Sequence, residues 1–478
     1  MRKFADEPML IQAGMGIAIS DWRLARTVSQ LGHLGIVSGT AIDNVFVRRL
    51  QIGDPGGHIR RAVAHFPIKE IGDRVFQKYF LTDKAEHSAF ARIPLIRAQQ
   101  SRDYQELLIV SNFTEVFLAK ENHNGLVGIN FLEKIQMPHL PSFYGAILAG
   151  ADYIVMGAGI PKEVPVALDR LSKHEDATYK LQVIGAKPED DFRLNFSPKF
   201  IMGDYLPEVK RPKFLAIVAS TALATMMVKK IPVPVDGLIV EAPSAGGHNA
   251  PPRVKAQFNE RGEPLYGPRD EVDFAAVSQL GVPFWMAGTR ASVSDVRDAF
   301  EKGATGVQIG TAFALCEESG LSPKYRKILL DKILHNDLDI YTDPRGSPTG
   351  FPFKVALLED SNSEAEMYAK RTRVCDLGYL RDPYRKENGE LGYRCASEPI
   401  ESFLRSGGEL ADTVGRKCLC NGLMANIDLA QWQKTNELER PIVTLGDDVK
   451  SVRQFISSTK TNYSAKEVID LLTPAMPN

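Results

Sequence analysis

Short apolar runs recur along the first 310 residues, and most of them are followed by a stretch with helical periodicity. Because the runs are apolar at consecutive positions, both faces of each predicted strand are covered, as in a parallel sheet between helices. Eight runs fit this pattern, at residues 8–13, 34–38, 126–131, 153–156, 214–219, 237–241, 283–287 and 306–309. They predict an α/β fold, a TIM (β/α)8 barrel, with a doubly wound open sheet as the alternative.

The connection between the last two runs shows the repeating unit best. Ser292 or Ser294 can cap the start of a helix, and Gly303 can end it. The apolar residues between them fall on one helical face, and they are Val293, Val296, Ala299 and Phe300. The spacing from one strand end to the next fits a single βα repeat.

Three segments depart from the plain repeat. Residues from about 50 to 105 predict a largely helical insertion after strand 2, and residues 162–210 predict an added hairpin after strand 4. Beyond about residue 330 the repeat stops, which predicts a barrel over residues 1–330 and a C-terminal extension over 331–478. Within that extension, the Pro- and Gly-rich stretch 341–353 predicts an ordered loop.

Composition and charge narrow the function classes. Among 478 residues, 58 Lys and Arg stand against 59 Asp and Glu, so no global positive charge favours nucleic acid or an anionic membrane as a partner. No apolar stretch of about 18 residues predicts a spanning helix, and the N-terminal residues do not resemble a secretory leader. With only five cysteines, the sequence predicts reduced thiols and a cytoplasmic protein.

Glycines concentrate where the predicted strands end, which is the ligand-binding side of a barrel. Glycine lets backbone N–H groups approach an anion closely, and a following helix N-terminus adds partial positive charge. The loops after the seventh and eighth strands are the strongest signal, because that position frequently forms a phosphate site. Those two loops contain Gly288 with Thr289 and Gly310 with Thr311. The residues at the other strand ends are Gly14, Met15, Gly16, Gly39, Gly157, Ala158, Gly159, Gly246 and Gly247.

His248 is the candidate catalytic residue. It follows the Gly246–Gly247 turn beyond the strand that ends at Glu241. This position would bring its imidazole beside a ligand over the barrel mouth, and an unperturbed histidine pKa of about 6.5 suits proton transfer near neutral pH. The other histidines have no comparable setting and are interpreted as surface or packing residues.

These motifs resemble the nitronate monooxygenase family, formerly called 2-nitropropane dioxygenases. The resemblance extends over residues 8–320, and the superfamily also contains flavin-dependent enoyl-acyl-carrier-protein reductases. It rests on the segments 12–16, 128–132, 240–248, 287–288 and 307–311. The family implies a TIM barrel that holds FMN non-covalently, with no metal.

The resemblance also implies roles for individual residues. Asn130 would contact the flavin, Gly246 would lie against the isoalloxazine ring, and His248 would stand near it as a base or hydrogen-bonding partner. The phosphate end would be formed by Gly288, Thr289, Gln308, Ile309, Gly310 and Thr311. Together with Gly14, Met15, Gly16, Glu241 and Gly247, these residues are the predicted cofactor-binding set.

Two departures from the smaller family members leave the substrate open. Glu241 and Ala242 stand where those members usually have Gln-Gly, which changes the polar group expected near the flavin. The insertions and the extension resemble a longer branch that includes trans-acting enoyl reductases of polyketide and polyunsaturated-fatty-acid synthesis. The main prediction is oxidation of alkyl nitronates with O₂ to a carbonyl compound and nitrite.

The alternative is an NAD(P)H-dependent enoyl-acyl-carrier-protein reductase. Its partner could dock on basic residues such as Lys210, Arg211 and Lys213 or Lys229 and Lys230. A third possibility is a catalytically idle flavin- or phosphate-binding scaffold. In the extension, Cys375, Cys395, Cys418 and Cys420 are spaced as structural thiols, with a zinc site as the less favoured alternative.

Overall fold

The computed structural model describes residues 4–254, 257–434 and 436–477. Its strands are β1 Leu10–Gln12, β2 Leu34–Ser38, β3 Val127–Leu132, β4 Tyr153–Gly157, β5 Ala177–Lys180, β6 Arg193–Phe196, β7 Lys213–Val218, β8 Gly237–Glu241, β9 Gly247–His248, β10 Phe284–Ala287, β11 Gly306–Ile309, β12 Asp339–Asp343, β13 Phe353–Leu357, β14 Asp382–Arg385 and β15 Leu391–Arg394. Eight of these strands coincide with the eight predicted runs to within two residues.

The helices are α1 Trp22–Gln30, α2 Ile42–Gln51, α3 His58–Val63, α4 Lys69–Tyr79, α5 Arg102–Lys120, α6 His139–Leu148, α7 Val164–Leu171, α8 Pro198–Met202, α9 Thr221–Lys229, α10 Phe274–Ser278, α11 Val293–Glu301, α12 Thr311–Ala314, α13 Pro323–Leu334, α14 Ala365–Ala369, α15 Ile400–Arg405, α16 Leu419–Ala425, α17 Val449–Val452 and α18 Ala465–Leu472. The Ser292 hydroxyl caps α11, and Gly303 follows the helix with φ +82°, as predicted.

The eight strands form a closed parallel barrel in the order β1, β11, β10, β8, β7, β4, β3, β2. This arrangement confirms the predicted TIM barrel and excludes the open sheet. Large apolar side chains fill its interior, including Ile36, Tyr153, Leu215 and Trp285. The Trp285 indole N–H donates to the Pro8 carbonyl at 2.7 Å, so the one polar atom of this ring is satisfied.

Both predicted insertions are present. Between β2 and β3 the chain forms helices α2 to α5, although residues 80–101 between α4 and α5 are irregular. Between β4 and β7, strands β5 and β6 pair antiparallel as the predicted hairpin.

The C-terminal extension is packed on the barrel. Strand β13 pairs antiparallel with β12 and with β9. The extension therefore contacts the backbone of His248, which lies in β9 opposite Phe353. The apolar side chains of Val443, Leu445, Phe455 and Tyr463 lie in the same core as the barrel helices. The predicted loop over 341–353 is partly wrong, because residues 341–343 belong to β12. In the described ranges, no helix is long and apolar enough to cross a membrane.

Candidate active site

A cavity opens at the carboxyl ends of the barrel strands, and we call it the mouth cavity. All fourteen residues predicted from the sequence line it: Gly14, Met15, Gly16, Asn130, Glu241, Gly246, Gly247, His248, Gly288, Thr289, Gln308, Ile309, Gly310 and Thr311. The fold brings them together because parallel strands of a closed barrel all end at the same rim. The individual role of each residue stays a prediction.

Gly14 and Asn130 form one wall of the mouth cavity. A Cβ atom on Gly14 would lie 2.0 Å from the Asn130 Oδ1, so only glycine allows the amide to lie against this loop. The buried Oδ1 of Asn130 accepts no hydrogen bond from the described protein. A buried polar atom without a partner carries a desolvation cost, and a ligand donor would remove it.

The loop after β10 holds a strained backbone. Gly288 has φ +88° and Thr289 has φ +52°, a left-handed conformation that a β-branched residue rarely adopts. Such strain costs about 1–3 kcal/mol and clusters at ligand-binding sites. Arg290 follows in the same loop, and its buried Nε has no hydrogen-bond partner in the described part of the chain.

Gly310 lies on the neighbouring loop, at the start of α12. A Cβ atom on Gly310 would be 3.7 Å from the Met15 sulfur and 3.9 Å from the Ala13 Cβ, both in ordinary contact. The protein itself therefore leaves room beside this backbone. Thr311 Oγ1 accepts a hydrogen bond from the Gly446 N–H at 3.0 Å, which leaves its own hydroxyl proton available.

His248 is fixed by the extension. Its Nε2 is 2.7 Å from the Ser347 Oγ, and its ring lies edge-on to Phe353 with centroids 4.8 Å apart. Ser347 is fully buried, and its hydroxyl also lies 2.8 Å from the Thr349 Oγ1. Burial lowers the pKa of His248 to about 4, so the imidazole is neutral at pH 7.

Glu241 has the opposite perturbation at the end of β8. Burial raises the pKa of its carboxyl to about 8, and no charged neighbour contributes to the shift. The side chain is therefore mostly a neutral carboxylic acid at pH 7, which can both donate and accept a hydrogen bond. In its ability to donate and accept, the neutral acid is similar to the amide expected at this position from the resemblance.

The segment Thr444–Asp448 is a wall of the mouth cavity that the sequence did not reveal. The Asp447 N–H donates to the Ser244 carbonyl at 2.9 Å, and a Cβ atom on Gly246 would lie 2.8 Å from the Gly446 nitrogen. Asp448 Oδ2 accepts from the Ala291 N–H at 3.2 Å. No local signal in the sequence marks this segment, because its position depends on contacts about 200 residues apart.

Comparisons with known proteins show what part of this chain is similar to a known family. Residues 207–349 match the nitronate monooxygenase family model. The matched segment contains every predicted site residue from Glu241 to Thr311, whereas Gly14, Met15, Gly16 and Asn130 precede it. The resemblance predicted from the motifs is therefore confirmed over residues 207–349, and the four earlier residues lie outside the match although they line the same cavity.

The individual proteins that are similar to this chain share little sequence with it. A probable nitronate monooxygenase of Bacillus subtilis (strain 168) is 33% identical over 96 residues, which cover 20% of this chain and 26% of that protein. Among solved structures, nitroalkane oxidase from Streptomyces ansochromogenes is 12% identical with a TM-score of 0.51, covering 99% of this chain and 97% of that one. FabK from Thermotoga maritima is 16% identical with a TM-score of 0.49, covering 99% and 96%. The likeness to the nitroalkane oxidase structure bears on the fold alone.

The remaining chemical groups lie apart from the mouth cavity. All five cysteines are unpaired thiols, and burial raises the pKa of Cys395 to about 12. In residues 4–254, 257–434 and 436–477, no group of three or more His, Cys, Asp or Glu is arranged to hold a metal ion. In the predicted basic surface, Arg211 is paired with Asp169 and Asp236 and Lys213 with Glu7, so these charges are largely compensated.

Proposed function

We propose that this protein is an FMN-dependent oxidoreductase of the nitronate monooxygenase type, which oxidises alkyl nitronates with O₂ to a carbonyl compound and nitrite. The observation that carries the proposal is the mouth cavity itself. It combines two strand-end loops suited to a phosphate with a neutral imidazole beyond a Gly-Gly turn. The match of residues 207–349 to the nitronate monooxygenase family supports the same reaction class.

The residues present fit FMN. The cavity offers an unpartnered acceptor in Asn130 Oδ1 and an unpartnered donor in Arg290 Nε. A phosphate would find the Arg290 Nε, the backbone around Gly310 and the Thr311 hydroxyl in adjacent loops, while the Arg290 Nη1 is paired with Asp298 at 2.9 Å. Charge-assisted bonds from arginine to phosphate are among the strongest hydrogen bonds in proteins.

When bound, FMN would supply the electron chemistry, accepting electrons from the substrate and reacting with O₂. His248 would bind a nitro-group oxygen or move a proton, since its neutral ring has one donor and one acceptor nitrogen. The hydrogen bond with Ser347 and the edge contact with Phe353 hold the ring in one orientation. Phe353 and Leu445 are apolar parts of the wall and help to exclude water.

The enoyl-acyl-carrier-protein reductase with NAD(P)H as the electron donor is the alternative use of the same cavity. An anaerobic stopped-flow experiment separates the two reactions, because it identifies the compound that bleaches the bound flavin. We expect an alkyl nitronate to bleach it and NAD(P)H to leave it oxidised. Bleaching by NAD(P)H alone would replace the proposed reaction with the alternative, and an acyl-carrier protein would become the expected partner.

The third possibility, an idle scaffold, has a simpler test. Purified protein that is colourless and gains no flavin absorbance with added FMN would support it.

We place the enzyme in the cytoplasm, because all five cysteines are unpaired and a reducing compartment maintains thiols in that state.

A further inference from the structure

Glu241 lies between two cavities. Besides the mouth cavity, it lines a smaller one that we call the side cavity, which the loop after β8 also lines through Ala242 and Pro243. Its other polar or charged lining residues are Ser220, Arg253, Tyr266 and Asp270. Glu241 therefore lines both cavities, and the other polar side chains of the side cavity do not line the mouth cavity.

The Glu241 carboxyl has no partner of its own. Within the part of the chain that the structure describes, no group donates a hydrogen bond to it and no cation forms an ion pair with it. Glu241 is half-buried, and a carboxylate held at a largely apolar cavity wall without a partner is costly, whereas the neutral acid is tolerated and retains a proton to donate. The lack of a donor or cation from the described chain therefore favours the neutral acid form of Glu241.

We propose that Glu241 donates a hydrogen bond to the ligand of the mouth cavity as a neutral acid, and exchanges that proton with solvent through the side cavity. This inference rests on the proposed function, because FMN is the ligand by which it is tested. Deprotonation would replace the donor with a buried charge facing the ligand's acceptor atom. Ligand affinity therefore falls as Glu241 loses its proton.

The other titratable or charged groups facing these cavities do not reproduce this behaviour. The pKa of His248 is lowered to about 4 and that of Tyr266 is raised to about 12, so both stay neutral between pH 7 and 9. The remaining groups are Arg253 and Asp270 on the side cavity and Arg290 and Asp448 on the mouth cavity. Burial raises the pKa of Asp448. Because Asp448 is present in both the parent protein and the Glu241 variant, any titration of Asp448 affects the FMN affinity of both proteins.

The test is the pH dependence of FMN affinity, measured by flavin fluorescence between pH 7 and 9. With a Glu241 pKa of about 8, the neutral fraction falls about tenfold over this range, and we expect the FMN dissociation constant of the parent protein to rise by up to that factor. Glu241→Gln keeps an N–H donor but cannot titrate, so we expect its affinity to stay within about twofold. Ionisation of FMN itself acts equally on both proteins.

Glu133→Gln is the matched control. Glu133 is a second carboxyl with a pKa raised by burial, on the loop after β3, and it is not among the residues that line the mouth cavity. This variant should keep the pH dependence of the parent protein. A parallel slope in Glu241→Gln, or a flat profile in the parent protein, would overturn the inference.

A second measurement needs no substitution. Calorimetric titration of the parent protein with FMN at pH 8.5, in two buffers of different ionisation enthalpy, should show uptake of about half a proton or more per FMN bound. Absence of proton uptake would contradict the role of Glu241. Failure of FMN to bind at any pH would contradict the proposed function instead.

Discussion

The barrel rim and the C-terminal extension form opposite sides of one cavity, but they are built differently. The rim consists of strand ends that follow one another every few dozen residues, and each strand pairs with its neighbours in a closed order. The extension reaches the same cavity through contacts such as Ser347 with His248 and Gly446 with Thr311, about 100 and 135 residues apart. The rim supplies the loops that we propose to bind the ligand, and the extension contacts the side chains of His248 and Thr311.

The rim and the extension contribute to two different parts of the proposed function, cofactor binding and catalysis. The strained Gly288–Thr289 loop and the open backbone of Gly310 belong to the rim and suit a phosphate. The orientation of His248 depends on Ser347 and Phe353, which both belong to the extension. We call the contacts between residues 246–248 and the extension the junction. We expect substitutions at the junction to lower both turnover and stability, whereas substitutions in the rim loops should lower cofactor affinity first.

Gly246→Ala is the largest expected disturbance of the junction. Its new methyl group would lie 2.8 Å from backbone atoms of Leu445 and Gly446, which cannot move without displacing the extension. Overpacking of this kind typically costs about 1–3 kcal/mol. We expect a lower thermal midpoint and faster proteolysis within the extension.

Gly267→Ala is the control for this change, because a Cβ atom there would have no neighbour within 4 Å. It should leave both properties unchanged. A Gly246→Ala protein with the thermal midpoint and proteolysis pattern of the parent would mean that the extension is not tightly seated on the Gly-Gly turn.

His248→Ala is expected to preserve the fold and the bound FMN but to reduce turnover at least tenfold. A positioned proton-transfer group contributes typically about 10²–10⁴-fold to a rate. Turnover is measured at saturating FMN, so that cofactor loss cannot mimic the effect. Ser347→Ala should cause a smaller loss, because it removes the orienting hydrogen bond and leaves the imidazole. Turnover of His248→Ala within about twofold of the parent would refute the assignment.

The sequence predicted the rim well, and the reason is local. Strands such as Gly237–Glu241 are apolar on both faces and end at glycine-rich turns, so their positions and the common rim at which they end follow from short segments. The fourteen predicted residues therefore meet at one cavity. The perturbed acid–base states of His248 and Glu241 were not predictable, since burial causes both.

The extension was predictable only in part. Its existence followed from the end of the repeat near residue 330, but the division there stays a prediction, because the extension shares its core with the barrel. Thr444–Asp448 and Ser347 carry no motif, and their place at the cavity depends on distant pairings such as β13 with β9. Arg290 was overlooked although it directly follows Gly288–Thr289, a position next to a predicted phosphate loop.

The most direct test of the account compares the affinities of FMN and riboflavin, which differ by the phosphate alone. We expect the parent protein to bind FMN at least tenfold more tightly, since a hydrogen bond to a charged group contributes about 1.5–3 kcal/mol and 1.4 kcal/mol corresponds to a factor of ten. Arg290→Gln should remove most of this preference and leave riboflavin binding unchanged. Equal affinities of the parent protein for FMN and riboflavin would contradict a phosphate site at the loops after β10 and β11.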